Sequence, residues 1–323
     1  GLGALGSDTL GSRSTALGYA ALFTQNFTTA TNSYNTAIGY ESGTSITTGT
    51  GNTFVGGDSG DAVTTGFSNV ALGRNALSNE DTGRKNTAVG FAALELQNGD
   101  ADNLNTAVGF YAGGAVTTSI YNTLVGGLAG DALTTGGYNV AIGTEALSTE
   151  DTGRKNVAVG AYALSVQNGD ADNHNTAVGY SAGLSVSTGT LNTLIGSLAG
   201  DAVNTGTGNV ALGVSALGAT TTGSYNIALG TQALDANTEG SHNIGIGYAT
   251  LDGDTLGSKS IGIGSFALGT QNLTTATDAH NVAVGYNSGG LITTGVGNTL
   301  VGGLAGDALT DADFNVAVGK NAL

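Results

Sequence analysis

The apolar residues of this chain fall in one short phrase that returns along its whole length. The phrase is Asn, then Thr, Val or Ile, then usually Ala, then Val, Ile or Leu, then Gly, as in Asn139–Gly143, followed by a more polar stretch. Successive phrases begin at Ser14, Asn35, Asn52, Asn69, Asn86, Asn105 and onward to Asn315. Most starts are seventeen positions apart, as from Asn35 to Asn52; the units at Asn86 and Asn156 are two positions longer, and those at Ser14 and Ser260 four longer. A second, fourfold longer period links Asn35, Asn105 and Asn175, so that Asn69–Leu104 and Asn139–His174 are near copies. Such an array is a solenoid of eighteen units, read as one repeat domain over residues 1–323, excerpted from a longer chain and uncapped at both ends.

The type of solenoid follows from the columns of the repeat, numbered from the leading Asn as position 1. Positions 2 and 4 are β-branched or aliphatic in every unit, the spacing of one face of a strand. Position 5 is always Gly, which marks a turn or a close backbone approach. A seventeen-residue unit is too short for a helix pair and suits short strands joined by turns. Positions 9 and 12 compensate: Leu77 goes with Glu80 and Leu94 with Gln97, whereas Gly43 goes with Ile46 and Gly113 with Val116. One interior space per coil is filled from either position, as native packing density demands.

Position 3 shapes the expected assembly. With positions 2 and 4 assigned to the interior, alternation sends position 3 outward, yet it is never polar. Ala37, Leu124, Leu194 and Leu300 are therefore expected to meet another copy of the chain, the small Ala permitting approach near a symmetry axis. The Asn of position 1 is expected to stack in amide ladders, and eighteen rungs at about 4.8 Å give a body of roughly 85 Å.

Asn139–Gly143 and its seventeen variants resemble the head repeat of YadA-like trimeric autotransporter adhesins, a repeat class also found in phage tail fibres. The resemblance covers nearly the whole chain, from Ser14 onward. It implies a left-handed parallel β-roll wound from three identical chains. The unit here is slightly longer than the adhesin head repeat, and the four-unit super-repeat is unusual for that family.

Composition narrows the function classes. Glycine is 57 of 323 residues, and Cys, Met, Trp and Pro are absent, so neither a disulfide framework nor a thiolate metal site exists. Eight basic residues stand against 24 acidic ones, for a net charge of −16, which lacks the basic footprint of a nucleic-acid binder. No apolar run approaches the length of a membrane-spanning helix, so this segment is not expected to insert in a membrane. Gly57-Asp58-Ser59-Gly60 and Gly179-Tyr180-Ser181-Ala182-Gly183 mimic nucleophile motifs, but both fall on columns the repeat already dictates, and no fixed His and Asp accompany them. The chain is read as a non-enzyme.

Two kinds of side chain remain as candidate sites. The loop carrying Asn98, Asp100 and Asp102, repeated as Asn168, Asp170 and Asp172, alternates oxygen ligands suited to Ca²⁺ (calcium), the one candidate ion. The plainer reading is an acidic turn that absorbs the two extra positions. Tyr40, Phe110, Tyr111, Tyr180 and Tyr286 belong to an aromatic series at positions 6 and 7 that suits a host-surface protein or glycan, or equally packing between copies. The leading expectation is a non-enzymatic fibre: the trimeric shaft or head of a cell-surface adhesin or a phage-type tail fibre, extracellular, with itself as first partner. A self-assembling extracellular filament and a monomeric ice- or surface-binding solenoid using the Thr64-Thr65 and Thr134-Thr135 pairs are the alternatives.

Overall fold

The computed structural model describes every residue from Gly1 to Leu323. It is an all-β parallel solenoid of about eighteen coils, with no helix and a repeat of about seventeen positions. Two compact units carry this fold: Gly1–Ala158 with Asn168–Asp172, and Val159–Gln167 with Asn173–Leu323. In the first, strands such as Thr36–Ile38, Thr53–Val55 and Val70–Leu72 pair in parallel with the next coil, in the register Thr36 to Thr53 and Ala37 to Phe54. In the second, Thr193–Ile195, Val210–Leu212, Ile227–Leu229 and Ile244–Ile246 do the same.

Each coil is one three-residue strand and a long run of tight turns, with short second strands at Gly11–Ser12 paired to Thr31–Asn32 and Gly257–Ser258 paired to Thr277–Asp278. Position 5 explains its own invariance. Gly90 has φ +135°, and a Cβ there would lie 2.2 Å from the carbonyl oxygen of Gly109 in the next coil. No L side chain fits that approach.

The Asn of position 1 is buried in most coils and chiefly bridges backbone; amide-to-amide contacts of the expected ladder occur at Asn281–Asn298 (3.3 Å) and Asn298–Asn315 (3.1 Å). Asn69 Oδ1 accepts the backbone N–H of Asn86 (2.9 Å), and its Nδ2 donates to the carbonyl of Gly83 at position 15 of its own coil (2.9 Å). Asn209, Asn226 and Asn243 repeat the pattern in the second unit, each donating to a position-15 glycine carbonyl at 2.8 or 2.9 Å. One side chain thus satisfies a buried donor and a buried acceptor that the turns leave unpaired.

The facing of the strand is the reverse of the expected one. Ala37, Leu124, Leu194 and Leu300 are fully buried inside their own coils. Positions 1 and 3 share a parity, so a buried Asn at position 1 puts position 3 in the core and turns positions 2 and 4 outward. The large residues at position 3 also have a packing reason. A Cβ on Gly113 would meet Leu124 Cδ1 at 2.6 Å, and one on Gly130 would meet Leu124 Cδ2 at 2.8 Å. Leu124 therefore occupies the space that glycine at position 9 opens in two successive coils. Phe54 stands between Gly43 and Gly60, Leu194 between Gly183 and Gly200, and Leu300 between Gly289 and Gly306 in the same way.

Candidate interaction surface

With position 3 inward, the outer face of the strand ladder is a row of aliphatic and threonine side chains. In the first unit Leu17, Ile38, Val70, Leu72 and Ile142 are exposed; in the second, Leu212, Ile263 and Val301 are. Leu72 and Leu212 keep about half of their surface in solvent, 47% and 51%. Within each unit this file of aliphatic side chains makes an apolar stripe, the kind of surface that marks an interaction site.

The aromatic candidates sit one glycine beyond this stripe, at its edge. Tyr40, Phe110, Tyr180 and Tyr286 are each more than half exposed, and Tyr111 is half-buried. They are not isolated rings. Tyr40 stacks on Tyr19 at 5.3 Å, and Phe110 stacks on Phe91 at 5.6 Å with Tyr111 edge-on at 4.9 Å. Tyr180 meets Tyr162 edge-on at 6.0 Å, and Tyr286 meets Phe266 at 6.1 Å. All of these contacts except Phe110–Tyr111 join neighbouring coils, so the rings form short clusters within each unit.

The acidic loops do not gather their carboxylates. Asp100 accepts from the Thr82 hydroxyl (3.0 Å), while Asp102 pairs with Lys85 (2.6 Å). In the second copy Asp170 accepts from Thr152 (3.2 Å) and Asp172 pairs with Lys155 (2.6 Å). Asn98 and Asn168 are exposed at the loop entry. No group of three or more acidic or imidazole side chains converges here or elsewhere in the structure. His242 lies against Tyr225 at 5.3 Å.

What holds these loops is a buried carboxylate from the preceding coil, which sequence reasoning missed. Glu80 is fully buried; its Oε1 accepts from Gly83 N (2.6 Å), and its Oε2 from Asn103 Nδ2 (2.8 Å) and Gly99 N (3.4 Å). Burial pushes its carboxyl up to about 7, against the pull of the Gly83 and Gly99 N–H groups. Glu150 accepts from Gly153 N (2.6 Å) and Gly169 N (3.4 Å). Asp254 accepts from Gly257 N (3.0 Å), Leu273 N (3.1 Å) and the Gln271 amide, and burial raises its carboxyl as well. The signal was present: an acid at position 12 occurs only in the coil before a lengthened one (Asp8, Glu80, Glu150, Asp254), and Gln occurs there only in the lengthened coil (Gln25, Gln97, Gln167, Gln271).

The two serines in the nucleophile-like motifs are core residues. Ser59 is fully buried and donates to the Gly56 carbonyl (2.9 Å), and Ser181 is 4% exposed. Of the paired threonines, Thr64 and Thr134 donate their hydroxyls to the Asp81 and Asp151 carbonyls in the next coil at 3.1 and 3.0 Å, whereas Thr65 and Thr135 remain exposed. No helix is long and apolar enough to cross a membrane. No protein-family model matches the chain, and no curated protein matches it.

Proposed function

We propose that this chain is a non-enzymatic structural segment of an extracellular fibre, the trimeric shaft or head of a cell-surface adhesin or phage-type tail fibre. One observation carries the reading: the outer strand face is aliphatic in coil after coil, with Leu17, Leu72 and Leu212 about half in solvent or more. An apolar strand face is stable in water when another surface covers it. A second and third copy of the same face offer the same spacing and the same chemistry, which a cyclic assembly exploits. The interface then runs through positions 2 and 4, with the aromatic clusters at its margin, where they add contacts between copies or stay open to a host-surface protein or glycan.

Light scattering on the full chain tests this. The expected mass is three times 31.4 kDa, and the double substitution Leu72→Asp, Leu212→Asp should return it to 31.4 kDa with the solenoid intact by circular dichroism. A 31.4 kDa wild type removes the trimer, and polymers of open-ended mass favour the filament instead.

A further inference from the structure

The long near-repeat contains its own control experiment. Arg84 and Arg154 lie in the same phrase, Glu-Asp-Thr-Gly-Arg-Lys, at position 16 of sister coils. One coil earlier, position 16 is Phe67 in the first copy and Gly137 in the second. The Arg84 guanidinium lies over the Phe67 ring, 4.7 Å from its centre, and is half-buried. Arg154 has no ring to cover. It is exposed, and where the first copy has a phenyl group the second has a cavity of about 280 Å³ walled by Thr118, Ile120, Thr135, Tyr138 and Arg154. Lys155, not Arg154, takes the acidic partner Asp172.

We propose that this cavity binds a small aryl carboxylate. A guanidinium face attracts the π-face of a ring, and its edge donates to a carboxylate. The ring of the ligand takes the place against Arg154 that Phe67 holds against Arg84. Ile120 and Tyr138 supply an apolar and an aromatic wall, while the Thr118 and Thr135 hydroxyls supply donors at the rim. The volume is just under the usual range for drug-sized ligands, so the site suits a single ring. The site is formed within one chain and stands or falls independently of the fibre reading.

Saturation-transfer NMR on the full chain, with phenylacetate as probe and cyclohexylacetate as a control of equal charge but no π-face, tests the assignment. Phenylacetate should receive saturation, and cyclohexylacetate should bind about threefold more weakly. Arg154→Gln should abolish the signal without touching the backbone. Phe67→Gly should open a second site beside Arg84 and raise the signal. Equal binding of the two acids, a signal that survives Arg154→Gln, or no signal from the wild type overturns the proposal.

Discussion

A regular coil and a lengthened one solve the same problem with different atoms. In the regular coil at Asn226, one side chain closes the interior: its Oδ1 faces the next coil and its Nδ2 reaches Gly240 at position 15 (2.8 Å). In the lengthened coil at Asn86 position 15 is Asp100, not glycine. Asn86 still accepts from Asn105 N (3.2 Å), but its Nδ2 is buried without a partner. Three other polar side chains take over. Gln97 accepts from Asn105 Nδ2 (2.7 Å) and donates to the Thr117 carbonyl (2.9 Å), while Glu80 and Asn103 tie down the loop. The coil therefore tolerates inserted residues only where the interior is re-satisfied. A carboxyl and two amides do this at the cost of burying an ionisable group.

The largest expected effect is on what the two kinds of coil share. Gly230→Ala and Gly90→Ala should each destabilise by about 3 kcal/mol or more, because both put a Cβ within 2.4 Å of a carbonyl oxygen at a positive φ that L side chains rarely adopt. Thermal melts that separate the two variants widely would break the idea of a common wall.

The next effect centres on the carboxyl that supports the lengthened coil. Glu80 binds its proton more tightly folded than unfolded, so its contribution to stability is full below its unfolded value of 4.5 and is lost as pH rises through about 7. Asp61, raised to about 6 by burial, and Asp254, also raised, act in the same direction. The melting temperature should therefore fall as pH rises from the unfolded carboxylate range to the slightly alkaline side of neutrality, and Glu80→Gln should flatten part of that slope. On the alkaline side Glu80→Gln should gain about 1–3 kcal/mol, because it removes the cost of ionising a buried carboxyl, less the acceptor it withdraws from Asn103 Nδ2 and Gly99 N. A slope unchanged by the substitution would show that Glu80 does not titrate in this range. The smallest effect is at the surface: Lys85→Ala should cost about 0–1 kcal/mol, because the Lys85–Asp102 pair is exposed on both sides, 43% and 40%. A larger loss in chemical denaturation would mean that the pair orders the loop.

The repeat, the strand at positions 2 to 4, the glycine wall and the exchange between positions 9 and 12 were all legible in the chain. Each is a steric rule that acts identically in every coil, and eighteen repetitions make a steric rule visible. The facing of the strand was not read correctly. Position 3 is apolar because it is inside, and the same composition on an outer face would need a partner, so apolarity alone does not choose between them. The deciding clue was the Asn, whose parity position 3 shares, together with the glycine pairs that flank each Leu or Phe at position 3, as Gly113 and Gly130 flank Leu124. The support of the acidic loops was not read, for a related reason. Asp100 and Asp102 are conspicuous in sequence, whereas the carboxylate that holds the loop is Glu80, one coil before Gly99.

The sequence by itself determined the period, the parallel β-solenoid and the volume each coil can enclose, because a seventeen-position repeat with Gly at position 5 has few other ways to close its backbone. Only the tertiary structure decided which face of the strand is wet, which carboxyls are buried and which arginine lacks its ring. These depend on contacts between one coil and the next, where a side chain's surroundings come from residues a full turn of the solenoid away.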